Sequence, residues 1–145
     1  MPKRIFVNLP VADVAKATVF YEAIGCTRDT TICKGPTAAM MVWSETITFM
    51  LLDRAFYQTF TTKQVADARA ASEVLLGLSR DSREEVDAIT EAALAAGGKE
   101  PRSPQDHGFM YGRAFEDLDG HIFEPMWMDV EAAAAAMAQP QTVAA

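Results

Sequence analysis

GRAFEDLDGHIFEPMWMD, residues 112–129, reads as a strand, a tight turn at Asp119-Gly120 and a second strand. Asp-Gly between two apolar runs is a strong hairpin signal, because glycine tolerates the positive φ that hairpin turns need. The second strand carries one carboxylate, Glu124, inside an otherwise apolar run. Pro125 beside it cannot donate to a ladder, which predicts that this strand lies at an edge or is bulged there.

Upstream of the hairpin one order of elements occurs twice. Ile5 to Leu9 is a short strand closed by Pro10, and Asp13 then stands as N-cap before Val14, Ala17, Tyr21 and Ile24. Those spacings put the four on one helical face, and Gly25 follows where a helix stops in the left-handed conformation. Thr27 to Cys33, Ala39 to Trp43 and Ile47 to Leu52 are three β-rich runs separated by Gly35-Pro36 and Ser44-Glu45, so the first module reads β-α-β-β-β. The second begins with a strand at Val74 to Leu78. A Ser82-x-x-Glu85 capping box then opens a helix through Val86, Ile89, Ala93 and Ala96, the same spacing as in the first. Gly97-Gly98, a short run around Lys99 to Arg102, a strand over Phe109 to Phe115 and the strand Ile122 to Met128 complete it.

A unit that recurs once packs against its copy about a pseudo-twofold axis. The expected fold is therefore α+β, two tandem βαβββ modules forming a cupped mixed sheet. Residues 1–129 form one domain on this reading, with module 1 at about 4–53, a connector at 54–72 and module 2 at about 73–129. The connector drapes Phe56, Tyr57 and Phe60 over the core or over a site, with a short helix near Gln64 to Ala71. Residues 130–145 are an Ala-rich tail, expected to form a marginal helix stopped by Pro140.

Composition excludes several functions. A formal charge of -7 and no Lys/Arg cluster argue against nucleic acid and against an anionic membrane surface. No apolar run reaches the roughly 20 residues of a membrane-spanning helix, and no leader segment is visible, so a cytoplasmic location is expected. Cys26 and Cys33 lack metal-binding spacing and read as reduced thiols.

The doubled pattern, the opening FVNLPVADVAKATVFYEAIG and the closing FEDLDGHIFEP resemble the vicinal oxygen chelate superfamily, over about residues 4–129. That superfamily includes glyoxalase I, extradiol dioxygenases, bleomycin-binding proteins and fosfomycin-resistance enzymes. The resemblance implies a divalent metal held by one ligand from each of four strands, at Phe6, Met50, Leu75 and Glu124. Only Glu124 is a suitable ligand, so no metal cofactor is expected. His121 lies three residues before Glu124, on the opposite strand face, and His107 lies in a polar loop; neither is expected to replace a ligand.

The expected ligand cavity comprises Phe6, Asn8, Met50, Leu75, Met110, Arg113 and Glu124, with Trp127 off that face and under a helix. Glu124 is either a general base or ligand anchor, or a carboxylate paired with Arg113 or bonded to Asn8. Methionines at 40, 41, 50, 110, 126 and 128 are core or an adaptable binding surface. The expected function is binding of a small, largely apolar molecule between the sheets, without the family metal. The alternatives are a glyoxalase-type lyase or isomerase, resembling lactoylglutathione lyase, with Glu124 as base, and a non-catalytic protein whose cavity is filled. By resemblance the partner is a second copy, in a homodimer.

Overall fold

The hairpin and both helices form where the sequence places them. The computed structural model describes residues 2–138. Its elements are β1 (Ile5–Val11), α1 (Val14–Ala23), β2 (Thr27–Asp29), β3 (Ala38–Val42), β4 (Ile47–Asp53), α2 (Arg54–Gln58), β5 (Leu75–Ser79), α3 (Arg83–Ala95), β6 (Gln105–Asp106), β7 (Met110–Gly112), β8 (Phe115–Glu116), β9 (Ile122–Met128) and α4 (Val130–Ala138).

One sheet runs β1-β4-β3-β2 and the other β5-β9-β7-β6, with β8 also on β9. In each the first strand pairs parallel with the last, and the remaining pairs are antiparallel. The order is the same in both, as a duplicated βαβββ unit requires. The caps are made as the sequence indicates: Asp13 accepts from Lys16 N at 3.0 Å, and Ser82 from Glu85 N at 3.1 Å. Glu85 reaches back to Asp81 N at 3.0 Å, one residue before the expected partner of a capping box.

Period-two alternation divides each sheet into a face under a helix and an open face. Leu9, Val11, Phe49, Leu51, Ala39 and Met41 are buried toward α1, while Phe123 and Leu78 are buried on the helix side of the second sheet. The two helix-side faces meet in one aromatic cluster. Phe49 and Phe123 cross edge to face with centroids 5.4 Å apart, Tyr21 lies 5.9 Å from Phe123, and Phe115 stacks on Phe123 at 5.3 Å. Tyr21 OH donates to Asp117 Oδ2 at 2.6 Å, Ala12 N to Asp119 Oδ1 at 2.8 Å, and His121 Nε2 lies 2.8 Å from Pro10 O. The hairpin thus ties β1 and α1 to the second module. His121 thus spans the modules.

Several expectations are corrected. Pro125 is buried in a central strand, not at an edge, and β9 is not bulged there. Its missing N–H interrupts the ladder instead: β7 and β8 keep one register against β9 on either side of the gap, and Arg113 N still donates to Pro125 O at 3.1 Å. The Phe109 to Phe115 strand is therefore split in two. The Thr27 to Cys33 run pairs only over Thr27–Asp29, because Asp29 Oδ1 accepts from Thr31 N and turns the chain. The run at Lys99 shrinks to one bridge with Glu116, and the edge strand forms later, at Gln105–Asp106. The connector's helix is α2, capped by Asp53 through Ala55 N and Phe56 N, not a helix near Gln64. Five residues are too few to show a helical period. The stop expected at Pro140 lies outside the described residues.

In the hairpin turn Gly120 has φ +95°, and its N–H donates to Asp117 O at 3.2 Å. A Cβ here would meet Arg69 N at 2.8 Å and Ala68 C at 2.9 Å, because the connector crosses the turn. Gly120→Ala is expected to cost about 2–3 kcal/mol in chemical denaturation, from backbone strain and this clash. A loss below about 0.5 kcal/mol would contradict the packing.

Burial raises the Asp117 carboxyl above the ordinary carboxylate range, opposed by nearby His121 and the Tyr21 hydroxyl. A carboxyl raised in the folded state favours the fold most below its unfolded pKa and loses that contribution as pH rises through the folded value. The stability of the native protein relative to Asp117→Asn should therefore be greatest near pH 4 and decline toward pH 7, in urea titrations across about that range. A difference that grows with pH would reverse the sign of the argument.

Candidate functional site

The open face of the first sheet carries the even-numbered residues of β3 and β4: Ala38, Met50 and Leu52, with Asn8 beside Met50 in register. Capping by Asp53 turns the chain into α2 immediately after β4, so that Phe56 and Tyr57 return over this face. Phe60 follows, edge to face with Phe56 at 5.0 Å. Together with Ile32 and Cys33 from the loop after β2, and Thr61, they line a half-open cavity of about 540 Å³. Its walls are mostly hydrocarbon and aromatic, with the Asn8 amide, the Tyr57 and Thr61 hydroxyls and the Cys33 thiol as polar groups. That composition suits an apolar molecule oriented by one or two hydrogen bonds.

A second cavity of about 330 Å³ lies in the seam between the modules. It runs along Val7 to Pro10 of β1, under connector residues such as Val65 and Ala68, to His121 and Ile122. Asn8, Tyr57 and Thr61 border both cavities. Arg54 donates to Val65 O and Ala66 O, and Arg69 to Leu118 O at 2.6 Å, so the connector is pinned over the seam.

Of the seven expected cavity residues, Asn8 and Met50 line the larger cavity. Phe6 shares their face but is 47% exposed, and Leu75 on β5 is 55% exposed. Met110 and Glu124 lie on the open face of the second sheet, where Met110 pairs with Met128 and Glu124 with Gly77. Neither lines either of these two cavities. Arg113 faces the other way. Its guanidinium is bonded to Glu100, Asp87 and Glu91 under α3, and these bonds, Glu100's first, hold it firmly protonated. Alternation along Tyr111, Arg113 and Phe115 already puts Arg113 on the buried face, and Asp87 and Glu91 are one helical turn apart beneath it. Trp127 packs on the same side, with the Arg83 guanidinium 5.3 Å from its ring.

Glu124 is therefore paired neither with Arg113 nor with Asn8. Its carboxylate meets Arg102 Nη1 at 2.6 Å. Both side chains are mostly covered, at 34% and 27% exposure for Arg102 and Glu124. Arg102 lies in the irregular stretch between α3 and β6, where no periodicity marks a side chain as inward. Phe56, Tyr57 and Phe60 drape over a site as the roof of this cavity, and Ile32 and Cys33 join them although their sequence, Thr27 to Cys33, has the character of a strand.

The four positions implied for a metal do not form a donor set. Phe6 and Leu75 are hydrocarbons, Met50 offers only a thioether, and Glu124 is engaged by Arg102. Among the described residues no three His, Cys, Asp or Glu side chains converge as a metal site. Nor is any helix among them long and apolar enough to cross a membrane.

The two thiols differ. Cys26 is buried in the core, and burial pushes its thiol up to about 12, whereas Cys33 lies at the cavity wall. At pH 8 only about 10⁻⁴ of Cys26 is thiolate. Iodoacetamide on the native protein should therefore modify one thiol, and Cys33→Ser should abolish that reaction. Equal labelling of both, read by mass spectrometry, would contradict the burial of Cys26.

Residues 5–124 match the family model described as Glyoxalase/Bleomycin resistance protein/Dioxygenase superfamily. Among solved structures, a hypothetical protein from S. aureus is 26% identical, with a TM-score of 0.74 over 88% of this chain and 95% of that one. A glyoxalase/bleomycin resistance protein/dioxygenase family enzyme from Burkholderia phytofirmans PsJN is 17% identical, with a TM-score of 0.73 over 88% and 99%. A glyoxalase-related enzyme from Fulvimarina pelagi is 19% identical, with a TM-score of 0.71 over 88% of each chain. No curated protein matches the sequence significantly.

Proposed function

We propose that this chain, which belongs to the glyoxalase/bleomycin resistance protein/dioxygenase superfamily, binds a small, largely apolar molecule in the cup and does so without a metal ion. The observation that carries the reading is the cavity of about 540 Å³ between Met50 and Leu52 on its floor and Phe56, Tyr57 and Phe60 on its roof. Its size suits a small organic ligand. The Asn8 amide and the Tyr57 hydroxyl supply direction, and the rings supply contact area. This open volume speaks against a cavity filled by its own side chains.

A metal-dependent reaction has no support in the donor set at Phe6, Met50, Leu75 and Glu124. Catalysis by Glu124 as general base would require its carboxylate to leave Arg102 and a substrate to reach the second sheet. Association into a homodimer is part of the reading: Ile5 and Phe6 on β1 and Val74 and Leu75 before and on β5 are exposed apolar side chains that a second copy would cover. Two free thiols suit a reducing cytoplasm.

A thermal-shift screen of neutral aromatic and aliphatic compounds tests the cavity. A ligand at one hundred times its Kd stabilises by about 2.7 kcal/mol. Phe60→Ala removes a wall whose ring is 67% exposed in the free protein, so it should leave the melting temperature nearly unchanged. It should weaken the best compound about tenfold, the order expected for losing one aromatic contact. A screen without any stabilising compound, or binding indifferent to both Phe60→Ala and Met50→Ala, would sink the proposal.

A further inference from the structure

Strand β1 lies at the edge of its sheet, and the direction of its backbone groups can be read from the ladder. Ile5 N donates to Thr46 O at 2.8 Å, so the odd-numbered residues of β1 turn their N–H and C=O groups toward β4. The groups of Phe6, Asn8, Pro10 and Ala12 therefore point to the outer edge. The C-terminal part of that edge is taken: Pro10 O lies 2.8 Å from His121 Nε2, and Ala12 N donates to Asp119 Oδ1. At Phe6 and Asn8, among the described residues, no strand pairs with the edge and no backbone bond from the connector reaches it.

Asn8 also borders both cavities. Its outward N–H and C=O open on the seam, while its side chain, in register with Met50, lies on the face covered by α2. The edge of β5 is free as well, since Arg80 N donates to Met126 O at 2.7 Å and leaves Leu75 and Gly77 turned outward. Neither of those two lines a cavity described above. Asn8 alone joins a free backbone pair to an apolar chamber.

We infer that the β1 edge at Asn8 recognises the polar part of the ligand, and that the ligand is an acylated apolar amino-acid unit, as in a short peptide. The unit pairs with Asn8 as one more strand and lays its side chain in the cavity under α2. This rests on the cavity reading above and names the ligand's chemical class. An amino-acid unit carries an N–H and a C=O on the two sides of one α-carbon, which is the complement of the pair that Asn8 presents. Residues opposite each other in a ladder send their side chains to the same face. The ligand's side chain therefore extends the row formed by Met40, Met50 and Asn8, beneath Tyr57 and Thr61, which border both cavities. No charged side chain lines the larger cavity, so a neutral apolar group fits it. Pro10 limits the pairing: it has no N–H and its C=O is engaged, so a longer peptide can continue toward Phe6 but not past Asn8.

The test is calorimetric titration of the purified protein with the N-acetyl N′-methylamides of phenylalanine, leucine and alanine, with the phenylalanine compound whose acetamide N–H is replaced by an ester oxygen, and with ethylbenzene. The phenylalanine or leucine compound should bind about tenfold more tightly than the alanine compound, and the ester should lose about tenfold, the share of one hydrogen bond. Asn8→Pro removes the outward N–H and leaves the ladder to β4 intact, as Pro10 does two residues on. It should bind the phenylalanine compound about tenfold more weakly than Asn8→Ala, while the two variants hold ethylbenzene within about twofold of each other, which shows that Asn8→Pro is folded. In hydrogen exchange of the wild-type protein the Asn8 amide should slow about tenfold or more at saturation, and the Leu9 amide, which faces β4, should not change. Amides that fail where ethylbenzene binds, an ester as tight as its amide, equal binding by Asn8→Pro and Asn8→Ala, or an Asn8 amide that exchanges as fast with ligand as without it would each overturn the assignment while leaving the cavity standing. Failure of ethylbenzene and of every amide at about millimolar concentration would remove the cavity reading and this one together.

Discussion

The hydrogen bond from Tyr21 to Asp117 fixes how the two modules sit. A buried carboxylate is tolerated only when its oxygens are matched, and Asp117 accepts from Tyr21 OH on one oxygen and from Asp119 N and His121 N on the other. The same carboxylate therefore shapes the hairpin turn and receives helix α1 of the other module. Around it Phe49, Phe115, Phe123 and the Tyr21 ring meet edge to face or stacked, contacts worth roughly 0.5–1.5 kcal/mol each beyond their burial. Directional and non-directional terms act at one point, so the helix-side faces share a core and the opposite face of the first sheet is left to the cavity under α2.

The open faces of the two sheets differ chemically. The first carries Met50, Leu52 and Ala38, roofed by rings, and the second carries the Arg102–Glu124 pair. On the other side of the second sheet Arg113 is surrounded by Asp87, Glu91 and Glu100, with Tyr111 OH also on Asp87 at 2.6 Å. The two arginines do different things. Arg113 is saturated by carboxylates and fastens α3 to the sheet, whereas Arg102 has one acidic partner and donors to spare.

Much of the fold could be read from local chemistry. Asp-Gly flanked by apolar runs, Asp13 and Ser82 as caps, and the repeated spacing through Tyr21 and Ala93 each follow from rules acting within a few residues, and together they dictate a duplicated unit. What escaped the reading depends on contacts distant in sequence or on very short elements. The five residues of α2 exist because Asp53 caps them, and Arg102 finds Glu124 from a loop with no period. Pro125 shows a local rule overridden: the missing N–H does interrupt pairing, yet the packing of Phe123 beneath α1 keeps the strand central. At the site, Asn8 follows from alternation with Phe6 and Met50 from the family resemblance, whereas alternation puts Arg113 on the other face.

Among the described residues no ladder of backbone hydrogen bonds joins β1 to β5; the sheets remain separate, bridged by side chains, the connector and the hairpin. Sheets welded by a ladder would inherit their mutual angle from strand twist. Here the sheets meet through the Tyr21–Asp117 bond, the aromatic cluster and the residues lining the seam, such as Val7, Leu76 and Ile122. The aperture of the cup is thus a quantity that single substitutions could tune in small steps without breaking a strand, a route by which one duplicated scaffold could be refitted to guests of different girth.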